Sequence, residues 1–126
     1  MLDNLSRPFQ KQIHVDDKRT KIQAQLDAVR TSYIASLIGK RESIRSNWDQ
    51  LKSSWMADKY DQIYLIIHGL AGSAETFGFP QITQQARTVV NYFKKLNPHT
   101  APVSMDEIHE INQEMMKLLK LLQQPK

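Results

Sequence analysis

Histidine is the residue type of this chain best suited to chemistry, since the 126 residues include four histidines and no cysteine. The lack of cysteine excludes a disulfide framework, a thiolate zinc site and a cysteine nucleophile. The histidines are His14, His68, His99 and His109, and no two have the i,i+3 or i,i+4 spacing of a helical metal site. Glu107 precedes His109 by two residues, so it misses the Glu-x-x-His spacing of a di-iron bundle. We therefore expect no metal site. The remaining candidate for chemistry is a single histidine that acts without a metal.

His68 lies in a segment with helical periodicity, and a helical wheel shows where it points. At about 100° per residue, one group of apolar residues falls within about 60° of a common direction and defines a core face. This group is Ile63, Ile66, Ile67, Leu70, Ala74 and Phe77. His68 lies about 140° and Gly72 about 180° from Ile63, so both are predicted to point away from the core. Asp61, Leu65 and Glu75 share this outer face.

Two glycines make the helix around His68 unusual. Gly69 and Gly72 both lie within it, and a glycine inside a helix costs up to about 1 kcal/mol relative to alanine. A gap beside an exposed imidazole indicates that another molecule approaches closely, and Leu65 offers it an apolar contact. A neutral imidazole is a nucleophile toward phosphorus at physiological pH. The wheel alone leaves two interpretations open, an ordinary surface histidine and a phosphoryl acceptor.

Four apolar stripes predict the helices that must position this segment. Within each stripe, apolar residues recur at steps of three, four or seven. The stripes run over Ile22–Trp55, Ile63–Phe77, Ile82–Phe93 and Ile108–Leu122. Joined by short loops, they predict an all-α fold, an antiparallel four-helix bundle over residues 32–123. Residues 1–31 are predicted to form an N-terminal arm or an additional helix, with a break at Arg7-Pro8.

Boundary residues support this division into helices. Pro80 suits the first turn of the third helix, and Asn97-Pro98 is predicted to stop that helix. Ser104 and Glu107 have the spacing of a capping box at the start of the fourth helix.

Composition narrows the class of protein further. Seventeen basic and thirteen acidic side chains give a net charge of +4, and 24% of the residues are charged. The charges are scattered rather than gathered in one run, which argues against a nucleic-acid surface. No apolar stretch approaches the roughly 18–20 residues of a membrane span, and residues 1–8 lack the apolar core of a secretory signal. We therefore expect a cytoplasmic protein that binds neither membranes nor nucleic acids.

The segment from His68 to Phe79 reads HGLAGSAETFGF, and it resembles the signature of the histidine-containing phosphotransfer (HPt) domain family. That signature has an apolar residue two positions after the histidine, a glycine four after it, small residues next and a glycine ten after it. The matching residues here are Leu70, Gly72, Ser73, Ala74 and Gly78. One position differs, because many members have a lysine three residues after the histidine and this chain has Ala71. The order and length of the helices extend the resemblance over roughly residues 32–123.

The resemblance implies a phosphocarrier and not an enzyme. His68 would accept a phosphoryl group from a receiver-domain aspartate, on the ring nitrogen farther from the backbone, and pass it to another receiver. The implied partners are a response-regulator receiver domain and a hybrid sensor histidine kinase. The chain would need no cofactor of its own, since the receiver brings Mg²⁺.

Other residues receive expected roles from the helical wheel and the resemblance together. Contacts with the partner are expected around the histidine, at Asp61, Leu65, Gly69, Ala71, Gly72, Glu75 and Thr76. Arg87 and Lys94 lie off the core face of the third helix, and they are candidates to support the phosphoryl group in place of the absent lysine.

A second class of function stays open at this point. Because Ala71 replaces the family lysine, the bundle could instead be an adaptor that binds a receiver or a kinase without exchanging phosphate. Met1 and the C-terminal tail favour a free-standing protein over a fragment of a larger kinase.

Overall fold

The computed structural model describes residues 2–96 and 103–125, and it describes side chains from residue 17 onward. Within these ranges the chain forms four α-helices and one 3₁₀ turn, with no strand. The helices are α1 (Leu2–Ser53), α2 (Ala57–Ser73), α3 (Pro80–Lys95) and α4 (Met105–Gln123), and the 3₁₀ turn is Glu75–Phe77. The predicted all-α fold is confirmed.

The chain divides into two compact units, Met1–Tyr33 and Ile34–Lys126. In the first unit the predicted break at Arg7-Pro8 is wrong, since α1 includes both residues. A proline inside a helix removes one hydrogen bond and bends the helix, but it does not have to end it. The N-terminal part of the first stripe is exposed and is not core: Ile22, Leu26 and Val29 have exposed fractions of 51–58%.

The second unit holds the bundle and its apolar core. All four helices contribute side chains that are at most 1% exposed, among them Trp48, Ile63, Ile67, Phe93, Ile111 and Met115. The Tyr60 hydroxyl, near the start of α2, donates a hydrogen bond of 2.6 Å to the Phe93 carbonyl near the end of α3. This contact joins opposite ends of the two helices, so α2 and α3 run antiparallel. Burial raises the pKa of the Tyr60 phenol, which keeps that group protonated as the donor.

The connection from α2 to α3 is a tight turn with its own buried residue. Gly78 has φ +92°, a left-handed conformation that side chains rarely adopt. The Phe79 N–H then donates to the Ala74 carbonyl at 2.9 Å, and the Phe79 ring is fully buried. The Thr83 hydroxyl, 1% exposed, accepts a hydrogen bond of 2.8 Å from the Glu75 N–H. These contacts fix the end of α2 against the start of α3.

The capping box predicted before α4 is present. The Ser104 hydroxyl accepts from the Glu107 N–H at 3.1 Å, and the Glu107 carboxylate accepts from the Ser104 N–H at 3.1 Å. The helix α3 ends at Lys95, and the predicted stop at Asn97-Pro98 lies outside the described residues.

Candidate functional site

His68 is exposed on α2, as the helical wheel predicts. Leu65, one turn earlier, has an exposed fraction of 70%, the largest among the apolar side chains of this helix. The opposite face is buried at Ile63 and Ile67. Ile66, which the wheel placed on the core face, is only half-buried. The helix therefore presents its imidazole and an apolar side chain outward while the other side anchors it in the bundle.

Tyr64 stacks on His68 and limits the orientations of the imidazole. The two rings lie 5.7 Å apart between centroids with an angle of 26° between their planes. Tyr60 stacks in turn on Tyr64, at 6.3 Å and 23°, and Tyr60 packs against buried Phe93 at 5.0 Å. Rings at i,i+4 spacing on one helix meet in this way because such positions lie one above the other. A row of aromatic rings thus connects the exposed imidazole to the core.

A shallow groove of about 330 Å³ opens beside the imidazole, between α2 and α3. His68, Ala71 and Gly72 line it from α2. Facing them are the residues from α3, namely Arg87, Val90, Asn91 and Lys94. The predicted phosphate-supporting residues, Arg87 and Lys94, are both exposed and line the same groove as the imidazole. The groove therefore combines a nucleophilic ring with two cations and an amide.

Asn91 is the polar residue of this groove that the sequence interpretation missed. It follows Arg87 by four residues and precedes Lys94 by three, so all three share one face of α3. That spacing was available in the sequence. What the sequence did not reveal is that this face borders His68.

The glycines of α2 are not required by packing within the chain. A Cβ placed on Gly69 or on Gly72 meets no heavy atom within 4 Å. Both positions are exposed, and Gly72 lines the groove beside His68. The space above Gly72 is therefore open for another molecule.

The remaining predicted residues divide into two groups. One group is exposed and does not line the groove: Asp61, Leu65, Gly69, Glu75 and Thr76. The other consists of the motif residues that support the turn, of which Leu70 and Ala74 are fully buried, Ser73 is half-buried and Gly78 is left-handed. The motif thus includes both buried residues that hold α2 in place and exposed residues that surround the imidazole.

Histidine and carboxylate side chains are not clustered in the described part of the chain. Among those residues no group of three or more His, Asp or Glu side chains is placed to hold a metal ion. Nor does any helix described there have the length and apolarity to cross a membrane. The His14 side chain and His99 lie outside the described residues.

The fold and the site define a helical bundle with an accessible histidine beside a cationic groove. The family model of the Hpt domain matches residues 40–124, which is the greater part of the chain. This chain belongs to the Hpt domain family. Hpt domains are helical phosphocarriers, not enzymes, and they take part in two-component phosphorelays with receiver domains and kinases. No curated protein and no solved structure matches the chain significantly.

Proposed function

We propose that His68 accepts a phosphoryl group from the aspartyl phosphate of a receiver domain and passes it to the aspartate of another receiver. The observation that carries this proposal is the groove that brings an exposed imidazole together with Arg87 and Lys94. Phosphoryl transfer needs positioning and stabilisation of charge more than covalent chemistry from the protein. An accessible nucleophile with nearby cations meets that need.

The proposed transfer is a displacement at phosphorus. The lone pair of His68 Nε2 forms the new N–P bond while the P–O bond to the receiver's aspartate breaks. The bonding electrons leave with the aspartate carboxylate, and Nδ1 keeps its proton, so the ring gains a positive charge beside the phosphoryl group. We propose that the receiver supplies Mg²⁺ and that the chain needs no cofactor of its own. The reverse displacement by a second receiver's carboxylate releases the group.

Tyr64 acts in this proposal as a positioning residue. Its ring lies against the imidazole with centroids 5.7 Å apart. An aromatic pair contributes about 0.5–1.5 kcal/mol beyond the area that it buries. This energy restricts His68 to fewer orientations, so that less orientational freedom is lost when the receiver docks.

Arg87 and Lys94 replace the lysine that the family commonly has at the position of Ala71. Arg87 and Lys94 are seven residues apart on α3, on either side of Asn91. Ala71 carries no polar group, and the cations reach the groove from the facing helix instead. Charge on the transferring phosphoryl group is stabilised by these cations, which already line the groove.

The exposed residues around the groove form the proposed docking face for the receiver. Leu65 and Thr76 offer an apolar and a hydroxyl contact, while Asp61 and Glu75 offer carboxylates to basic residues of the partner. Gly69 has no side chain that would project from this face toward the receiver. Gly72 leaves the space that the receiver's active site occupies when it reaches His68.

Label transfer from a phosphorylated receiver tests the proposal. The protein is incubated with Mg²⁺ and receiver domains carrying labelled aspartyl phosphate, and label on the protein is tested for the acid-labile, base-stable behaviour of phosphohistidine. His68→Gln is expected to abolish labelling, whereas His109→Gln, a change at another exposed histidine, is expected to leave it intact. Receivers that bind the wild type but never label it would support a pure adaptor and reject the proposed transfer.

A second experiment tests the cations. Lys94→Gln and Arg87→Gln are expected to slow labelling several-fold each, because each removes one charge from the groove. Lys95→Gln is the matched control, since this neighbouring lysine is exposed and does not line the groove. Equal rates for all three variants would show that α3 does not support the phosphoryl group.

A further inference from the structure

A second and larger groove lies between α1 and α4 within the second unit. It has a volume of about 850 Å³ and shares no lining residue with the groove beside His68. The residues that line it are Arg41, Arg45, Trp48, Asp49, Lys52, Met116, Lys117, Leu119, Lys120 and Gln123. The function proposed for His68 uses none of them.

The floor of this α1–α4 groove is apolar. Trp48 is 1% exposed and Leu119 is 9% exposed, so both form a floor and neither projects from it. Met116 has an exposed fraction of 55% and lies along the same groove. Its flexible thioether side chain adapts to the shape of a bound partner. The groove therefore offers recessed apolar surface with one adaptable side chain.

Cations line both sides of the groove. Arg41, Arg45 and Lys52 belong to α1, and Lys117 and Lys120 belong to α4. Asp49 is the single acidic residue among the lining residues. The groove thus has an excess of positive charge along an apolar floor.

The ion pairs that these cations make are local. Each joins a cation to a carboxylate within three residues on the same helix, at Arg41–Glu42, Arg45–Glu42, Lys52–Asp49 and Lys117–Glu114. Arg45–Glu42 and Lys52–Asp49 are the more exposed of these pairs, and exposed pairs are worth about 0–1 kcal/mol. Lys120 makes no ion pair with the described residues. The carboxylates of a partner could therefore replace the local contacts of Arg45 and Lys52 at little cost.

Arg41 contributes a guanidinium to the lining of the groove. Its Nη2 pairs with Glu42 at 3.0 Å, but its Nε is buried without a hydrogen-bond acceptor among the described residues. A buried donor left unpaired costs about 1–3 kcal/mol. That enclosed Nε is out of reach of a ligand, but a guanidinium on the lining of the groove is well suited to pair with a partner's carboxylate, since the two oxygens match its geometry.

We propose that the α1–α4 groove binds an acidic amphipathic helix of a partner protein. The floor between two helices accommodates the apolar face of a third helix, and the cations on both sides pair with acidic residues flanking that face. The observations favour such a helix over nucleic acid, because Trp48 is buried and offers no open ring for base stacking. They also favour it over a membrane surface, because the apolar floor is recessed while a bilayer is flat.

Binding of a labelled model peptide to the full chain tests this inference. The probe is an 18-residue helix with leucine at i, i+3, i+4 and i+7 and glutamate at the flanking positions, carrying a fluorophore for anisotropy. A peptide with lysine for each glutamate and a peptide with the same composition in scrambled order serve as comparisons. We expect only the ordered acidic peptide to bind, with an affinity that falls as salt rises. Equal binding of the scrambled or basic peptide, or no binding of the acidic one, would overturn the proposal.

Matched variants locate the binding site. Met116→Glu and Lys120→Glu are each expected to weaken binding at least tenfold. Met105→Glu and Lys95→Glu are the controls, an exposed methionine elsewhere on α4 and a lysine in the last turn of α3. Circular dichroism checks that all four variants fold, and wild-type affinity in the two groove variants would reject this site.

Competition by other ligands completes the test. Duplex DNA and phosphatidylglycerol vesicles are added to the complex of the protein and the acidic peptide. Tighter binding of either one through Met116 and Lys120 would overturn the assignment to a helix. Because the groove is separate from His68, the variant His68→Gln is expected to bind the peptide normally, whatever the outcome for phosphotransfer.

Discussion

Gly72 allows stability and function to be separated by one substitution. It lies in α2, one residue before the helix ends at Ser73, and a Cβ there meets no heavy atom within 4 Å. Alanine and arginine are both good helix formers, and a glycine in a helix interior costs up to about 1 kcal/mol relative to alanine. Because Gly72 lies in the last turn, we expect its replacement to recover about half of that cost. Gly72→Ala and Gly72→Arg are therefore expected to stabilise the fold by about 0.5 kcal/mol, which raises Tm by about 2 °C.

The effect on phosphotransfer is expected to have the opposite sign. Gly72 lines the groove of about 330 Å³ together with His68, so an arginine side chain there would stand where the receiver's active site enters in the proposed transfer. We expect the labelling rate of Gly72→Arg to fall at least tenfold, equivalent to about 1.4 kcal/mol in the barrier. The methyl group of Gly72→Ala is smaller than the arginine side chain, so the labelling rate of Gly72→Ala should lie between those of the wild type and Gly72→Arg.

The assay compares melting temperature and labelling rate in the same preparations. Gly39→Ala and Gly39→Arg are the matched controls, because Gly39 lies inside α1, a Cβ placed on it also meets no heavy atom within 4 Å, and it lines neither groove. These controls are expected to gain stability and keep the wild-type rate. A Gly72→Arg protein that melts higher and is labelled at the wild-type rate would refute the reasoning.

Three further substitutions test the contacts that hold the site and the bundle. Tyr64→Leu removes the ring stacked on His68 and is expected to slow labelling about threefold with little loss of helix. If the NMR shifts of the His68 imidazole protons are the same in this variant and the wild type, the stacking is contradicted. Thr83→Val leaves the Glu75 N–H without its acceptor and is expected to cost about 1–2 kcal/mol in unfolding free energy, measured by urea denaturation. Ser104→Ala removes half of the capping box and is expected to cost about 1 kcal/mol. An unchanged denaturation midpoint in either of these last two variants would show that its hydrogen bond contributes nothing.

Periodicity explains how much of the site could be predicted from the sequence. The core face of α2 follows from the positions of Ile63, Ile67 and Leu70, and that face fixes the outward direction of His68 because every helix has the same rotation per residue. The capping box at Ser104 could also be predicted, because it depends only on two residues that are three apart in the sequence.

Features that depend on tertiary contacts were missed or predicted wrongly. Phe79 stands between a glycine and a proline, which indicates a turn, and yet its ring is fully buried because the turn folds back over the core. Ile22, Leu26 and Val29 continue the helical stripe of α1 but are exposed, because a stripe shows which face is apolar and not whether another element covers it. Predicting that Asn91 lines the groove would have required knowledge of which helix lies beside His68.

The substitution of Ala71 for the family lysine has a structural consequence beyond the loss of one charge. A lysine at that position would lie on α2 and would move with the histidine that it assists. The cations proposed to replace it, Arg87 and Lys94, lie on α3, so in the proposed transfer their position relative to His68 depends on how α2 and α3 pack. That packing is fixed at one end by the bond between Tyr60 and the Phe93 carbonyl and at the other by Thr83 and the turn. Changes that loosen these contacts should therefore slow transfer even when His68, Arg87 and Lys94 are intact, because stabilisation by preorganised charge is lost when the charges are no longer held in place.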